Sequence, residues 1–176
     1  MRVSVIAHDP VWKSHFEAEA DHIARALRDM VVFPHHIGST AIPGIFAKPI
    51  IDILLEVDDI IRLADKRSAM EQLGYEGLGE FGIPGRRYFR KENAAGIRTH
   101  QVHAFQADSP EIERHLAFRD YMIAHPGEAQ TYSVLKQRLA QEHPEDIEAY
   151  MAGKDPFIKA HEAKAIAWRS QKGRPS

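Results

Sequence analysis

A glycine, two hydroxyl side chains and one carboxylate, spread over fifteen positions of this 176-residue sequence, form the group best suited to chemistry. The stretch reads His36-Ile37-Gly38-Ser39-Thr40-Ala41-Ile42-Pro43-Gly44-Ile45-Phe46-Ala47-Lys48-Pro49-Ile50-Ile51-Asp52-Ile53. Gly38 allows close approach of the backbone to a ligand. Ser39 and Thr40 supply hydroxyls, and the N–H groups that follow can point at a phosphate. Asp52 lies among Ile50, Ile51 and Ile53, where an ionised carboxylate is costly unless a metal, a base or a hydrogen-bond donor compensates it. Two plainer readings stand beside this one. The glycine turn can be an ordinary turn with a capping hydroxyl, and Asp52 a structural acid paired with Lys48, an arginine or backbone donors.

Further residues could complete a site. His36 borders the turn, and His103 joins Asp52 if their strands are neighbours. One carboxylate with one or two imidazoles favours Mn²⁺ or Zn²⁺ over Mg²⁺, which prefers oxygen ligands. His100 and His103 are three apart on an expected strand and face opposite ways unless a bulge intervenes, and His103 is taken as the site residue. Arg86, Arg87, Arg90 and Lys91 crowd a second short strand, where guanidinium forks suit phosphate oxygens. Alternation separates Arg87 and Lys91 from Arg86 and Arg90, and the first pair is assigned to the ligand. A charged, solvated sheet edge is the competing account of this strand. Lys48 heads the Asp52 strand, and Arg114 and Lys136 are secondary candidates.

These residues need a frame to hold them. Pro10, Trp12, Phe16, Ile23 and Leu27 mark a first helix capped by Asp9. Strands are expected over Val31–Ile37 and Lys48–Val57. In the second of these, Ile51, Ile53, Leu55 and Val57 form one apolar face, and Asp52, Leu54 and Glu56 form the other. One helix follows Asp58 or Asp59 and stops at Gly74. Gly77 to Gly85 reads as a mobile loop, and Arg87–Lys91 with Ile97–Phe105 as a hairpin. Helices fill the rest, broken at His125-Pro126 and His143-Pro144, with short ones after that and the last running from Pro156 to about Trp168. Gln171 to Ser176 is expected to fray. This order predicts one α+β domain with a single mixed sheet and a helical C-terminal third.

Composition narrows the function classes. Hydrophobic residues make up 44% and charged residues 27%, as in a globular protein. A net charge of −2 argues against general nucleic-acid binding, which needs a basic surface. Absence of cysteine removes disulfides, thiol nucleophiles and cysteine-based zinc sites. The apolar runs are too short for a secretory leader or a membrane span, so a cytoplasmic location is expected.

Gly-Ser on one strand facing an acid on the next resembles the nucleotidyltransferase superfamily. From about Pro10 to Trp168 the chain resembles, more specifically, the GrpB family, which carries that fold in minimal form. The resemblance rests on the stretch quoted above and on Arg86-Arg87-Tyr88-Phe89 with Lys91. Thr99-His100-Gln101-Val102-His103, Ser109-Pro110, Arg114-His115-Leu116, Phe118-Arg119-Asp120-Tyr121, His125-Pro126, Leu135-Lys136 and Asp155-Pro156-Phe157-Ile158 extend it. It implies a nucleoside triphosphate on Gly38, Ser39, Thr40, Lys48, Arg87 and Lys91. A divalent metal (Mg, Mn or Zn) would sit at Asp52, His36 and His103, with Asp52 and His103 in the catalytic roles and the acceptor undefined. One feature departs from the superfamily. Two-metal transfer uses two carboxylates two residues apart, and the second position here is Leu54. Glu56 lies about 13 Å along the strand from Asp52. The alternative is therefore a non-catalytic module binding a nucleotide or a coenzyme A-related molecule.

Overall fold

The computed structural model describes residues 2–172. These divide into two compact units, one of residues 11–38 and 50–112, the other of residues 2–10, 39–49 and 113–172.

The first unit is the sheet unit. Helix α1 (Val11–Ala26) precedes β1 (Val32–Ile37), and the chain returns in β2 (Ile51–Val57). Helices α2 (Ile60–Ala64) and α3 (Arg67–Gln72), then strands β3 (Tyr75–Gly77), β4 (Arg87–Glu92) and β5 (Arg98–Gln106), complete it. The five strands lie in the order β1-β2-β5-β4-β3. Strands β2 and β5 are parallel and the other pairs antiparallel, so the sheet is mixed as expected. Alternation in β2 is clean on one face, where Ile51, Ile53, Leu55 and Val57 are all at most 3% exposed. They share the interior with Ile23 and Leu27 of α1, Val102 and Ala104 of β5, Leu63 and Met70.

Two local expectations differ. The helix read as continuous from Asp59 to Gly74 is two helices parted at Asp65-Lys66, where Arg62 and Lys66 both reach the Asp29 carboxylate. The glycine-rich segment begins not as a loop but as β3, which pairs Tyr75 with Lys91 and Gly77 with Phe89.

The second unit holds the rest of the helical third. Helix α4 (Pro110–Ala124) enters it, and α5 (Pro126–Glu142) starts with Pro126 in its first turn, as the His125-Pro126 break predicts. Helix α6 (Ile147–Lys172) is one 26-residue helix with Pro156 inside it, where short helices and a fresh start at Pro156 were expected. A proline removes one helical hydrogen bond, but burial along this helix outweighs that loss. Tyr150 and Ala165 are fully buried, and Phe157, Ile158 and Trp168 pack against Ile42, Ile45, Tyr121 and Tyr132. Helix α6 includes Gln171 and Lys172 of the segment expected to fray, and residues 173–176 lie outside the described residues. No described helix is long and apolar enough to cross a membrane.

Candidate functional site

Strand β1 ends beside Asp52, because Ile37 pairs with it across the antiparallel ladder. The chain must then leave the sheet at once, and Gly38 makes that turn at φ +75°. No other residue fits easily. A β-carbon at position 38 would stand 2.8 Å from Oδ2 of Asp52 and 3.1 Å from its Cβ. The glycine thus brings bare backbone against a carboxylate whose side chain is 26% exposed. Residues Ser39–Ala41 follow as one turn of 3-10 helix, closed by Ile42 N–H donating to the Ser39 carbonyl, and Thr40 is buried.

Strand β5 supplies the partner. Its register places His103 beside Leu54 and Tyr88, and His103 Nε2 lies 3.1 Å from Asp52 Oδ1. His103 Nδ1 lies 3.2 Å from a guanidinium nitrogen of Arg86. A guanidinium can only donate, so Nδ1 accepts and the ring proton sits on Nε2, which donates to Asp52. Arg86 is 6% exposed and also donates to the carbonyls of Glu80 and Phe81. Burial pulls its pKa down, opposed by Tyr88 and Glu111. The result is a directional chain from Arg86 through His103 to Asp52, in which the imidazole orients the acid.

Other sequence-derived candidates lie elsewhere. His36 pairs with Ile53 on the opposite face of the sheet and stacks on Phe16, ring centroids 4.8 Å apart. It is not beside Asp52. Arg87 and Lys91 also occupy that opposite face, whereas Arg86, Tyr88 and Arg90 share the face of Asp52. The cause is a one-residue irregularity between Lys91 and Glu92. An even hairpin continuing from the Glu92–Arg98 pair would set Arg87 against His103; the bulge sets Tyr88 there and exchanges the faces of every residue before it. Only β-pairing reveals such a bulge, so sequence alternation chose the wrong pair of cations to join Asp52.

Lys91 is engaged with Glu19, 2.5 Å away and 6% exposed, which also accepts from the Tyr75 hydroxyl at 2.7 Å. Burial opposes ionisation of Glu19, yet the bonds from Lys91 and Tyr75 hold its pKa below the ordinary carboxylate value. His100 lies 3.9 Å from the same carboxylate. Lys91→Met is expected to cost about 2 kcal/mol, because it leaves a buried charge short of its counterion. Urea denaturation would measure this, and an unchanged midpoint would exclude the pairing as a stabilising contact.

Lys48 belongs to the helical unit. Its ammonium lies 5.4 Å from the centroid of Tyr150, Lys154 lies 4.9 Å from the same ring, and Lys136 lies 4.5 Å from that of Tyr132. Lys136 is 1% exposed, and its Nζ has no hydrogen-bond partner. Burial first, then the charges of Lys154 and Lys48, push its pKa down to about 6. Arg114 is ion-paired with Glu162.

Among the described residues no three or more His, Cys, Asp or Glu side chains converge on a metal position. The corner offers one carboxylate and an imidazole with both nitrogens engaged. Leu54 is fully buried where a second acid would stand, and Glu56 lies 3.0 Å from His35. These residues do not fit a two-ion centre.

Comparison with known proteins agrees with this architecture. The GrpB protein family matches residues 2–164. UPF0157 protein YqkA of Bacillus subtilis is 44% identical over 173 residues, a match covering 98% of this chain and 49% of that protein. The chain thus spans about half the length of that relative. The crystal structure of conserved protein GrpB from Enterococcus faecalis superposes with a TM-score of 0.89 at 44% identity, covering 94% of this chain and 99% of that one. Terminal uridylyl transferase 4 from Trypanosoma brucei with bound dUTP reaches a TM-score of 0.51 at 10% identity, covering 77% of this chain and 46% of that one. That is a likeness of fold alone.

Proposed function

Because the chain belongs to the GrpB family and carries a nucleotidyltransferase-like fold, we propose that it binds a nucleoside triphosphate at the corner made by Gly38, Asp52 and His103. The observation that carries this reading is the approach of the Gly38 backbone to an oriented, partly exposed carboxylate. An acid held ready by a histidine that a buried arginine backs, beside a turn too tight for a side chain, suits a charged ligand that needs bare backbone. The bare backbone at Gly38 would meet phosphate oxygens. Asp52 would share one divalent ion with those oxygens. Arg86 lies on the same face and supplies positive charge close by.

Leu54 favours binding over turnover, because one acid cannot hold the two ions that in-line transfer uses. The reading is therefore a non-catalytic nucleotide-binding module, the second reading is a nucleotidyltransferase, and pyrophosphate release separates the two.

Melting the wild type with each triphosphate, with and without Mn²⁺, tests the proposal. A saturating nucleotide at a hundred times its Kd should stabilise by about 2.7 kcal/mol, a rise of roughly 5–10 °C for a chain of this size. Asp52→Asn should abolish the Mn²⁺-dependent part. No shift with any triphosphate, or an equal Mn²⁺-dependent shift in Asp52→Asn, would overturn the reading. Steady, Asp52-dependent release of pyrophosphate would replace the binding module with a transferase.

A further inference from the structure

Beside the proposed phosphate corner lies an aromatic ladder that the binding scheme above does not use. Tyr88 sits next to His103, ring centroids 5.4 Å apart, and Phe81 stacks on Tyr88 at 5.3 Å with planes only 12° apart. Tyr88 is 5% exposed, whereas Phe81 is 58% exposed. The ladder therefore begins at the residue oriented on Asp52 and ends in a ring open to solvent.

Two features set Phe81 apart from an ordinary exposed apolar residue. Among the described residues it is the one non-glycine with positive φ, at 47°. That conformation crowds a β-carbon, and the sequence offers glycine at positions 79, 82 and 85 of the same loop without placing one here. The loop is also tied to the site. Arg86, which hydrogen-bonds His103, donates to the carbonyls of Glu80 and Phe81, and Leu78 and Gly79 bond the backbone of Tyr88. Arg86 lies 4.7 Å from the Tyr88 centroid and Arg90 5.9 Å from that of Phe81, so cations flank both rings.

We infer that Phe81 is the platform on which the base of the bound nucleotide stacks, an inference resting on the function proposed above. Every base has a flat π face, and an exposed ring backed by a second parallel ring and flanked by guanidinium groups presents the matching surface. Two ring-to-ring steps, of 5.4 and 5.3 Å, lead from His103 to Phe81. Stacking reads no donor or acceptor pattern, so the ladder binds purines and pyrimidines alike and confers affinity without strong base selectivity.

Titration of the full chain with ATP, UTP and inorganic tripolyphosphate in Mn²⁺ tests this, comparing wild type with Phe81→Leu and Phe81→Trp. Leucine keeps an apolar cover over Tyr88 but removes the flat face; tryptophan keeps the face. The expected result is about tenfold weaker binding of both nucleotides to Phe81→Leu, tripolyphosphate within twofold of wild type, and recovery in Phe81→Trp. Equal weakening for tripolyphosphate, or undiminished nucleotide binding by Phe81→Leu, would overturn the platform and leave the phosphate corner standing. Wild-type protein that binds neither nucleotides nor tripolyphosphate would overturn both.

Discussion

Lys136→Met is expected to raise the stability of the folded protein at pH 7 by about 2–4 kcal/mol, a gain larger than surface substitutions give. The amine is buried without a hydrogen-bond partner, and two more lysines bear on it. Methionine has a similar length and shape and needs no partner in that position. The pH dependence gives a second signature. In the folded state the amine has a pKa of about 6, and in the unfolded chain about 10.4. Between those values the unfolded chain binds more protons, so the contribution of Lys136 to stability rises with pH from about 6 towards 10 and is least favourable below 6. The variant lacks that slope. Urea midpoints at pH 6, 7, 8 and 9 measure both effects. Equal midpoints at pH 7 together with parallel pH profiles would show that the amine is solvated or paired in solution.

Gly38→Ala should have the next largest effect and the opposite sign, a loss of about 3 kcal/mol. The left-handed backbone costs an L-residue 1–2 kcal/mol. Crowding adds a comparable amount, because the atoms the methyl would meet belong to Asp52, which is held in place by His103. Gly82→Ala is the matched control. It too has positive φ, yet nothing lies within 4 Å of its added carbon, so only the backbone cost of roughly 1 kcal/mol applies. Nucleotide-dependent stabilisation should disappear in Gly38→Ala and persist in Gly82→Ala. If the two variants melt alike, the carboxylate is not pressed against the turn.

The contrast between Asp52 and the cations of β4 shows where sequence reasoning succeeds and where it stops. Asp52 stood out because a carboxylate within an isoleucine run has few structural excuses, and its partner His103 followed from the expectation that their strands are neighbours. Arg87 and Lys91, the pair assigned to the ligand, lie on the face away from Asp52, because the face of a strand residue depends on register, and one bulged residue reverses it. Phe81 gave no sequence signal. It is one aromatic in a glycine-rich loop, and its exposure, positive φ and stacking on Tyr88 exist only once the loop is folded onto β4. Lys136 was legible as a candidate, but not as a buried, partnerless amine.

Local chemistry, written into neighbouring residues, determined the strands, the Gly38 turn, the helix breaks at proline, the lone acid and the resemblance to a family. Period-two alternation and φ-restricted residues act over a few positions and survive in any context. Tertiary structure alone decided which cations share a face with Asp52, why α6 passes through Pro156, and which polar groups lost their water. Each of those depends on pairing or burial between segments distant in the chain, and burial changes the energy of a charge by more than any local preference can.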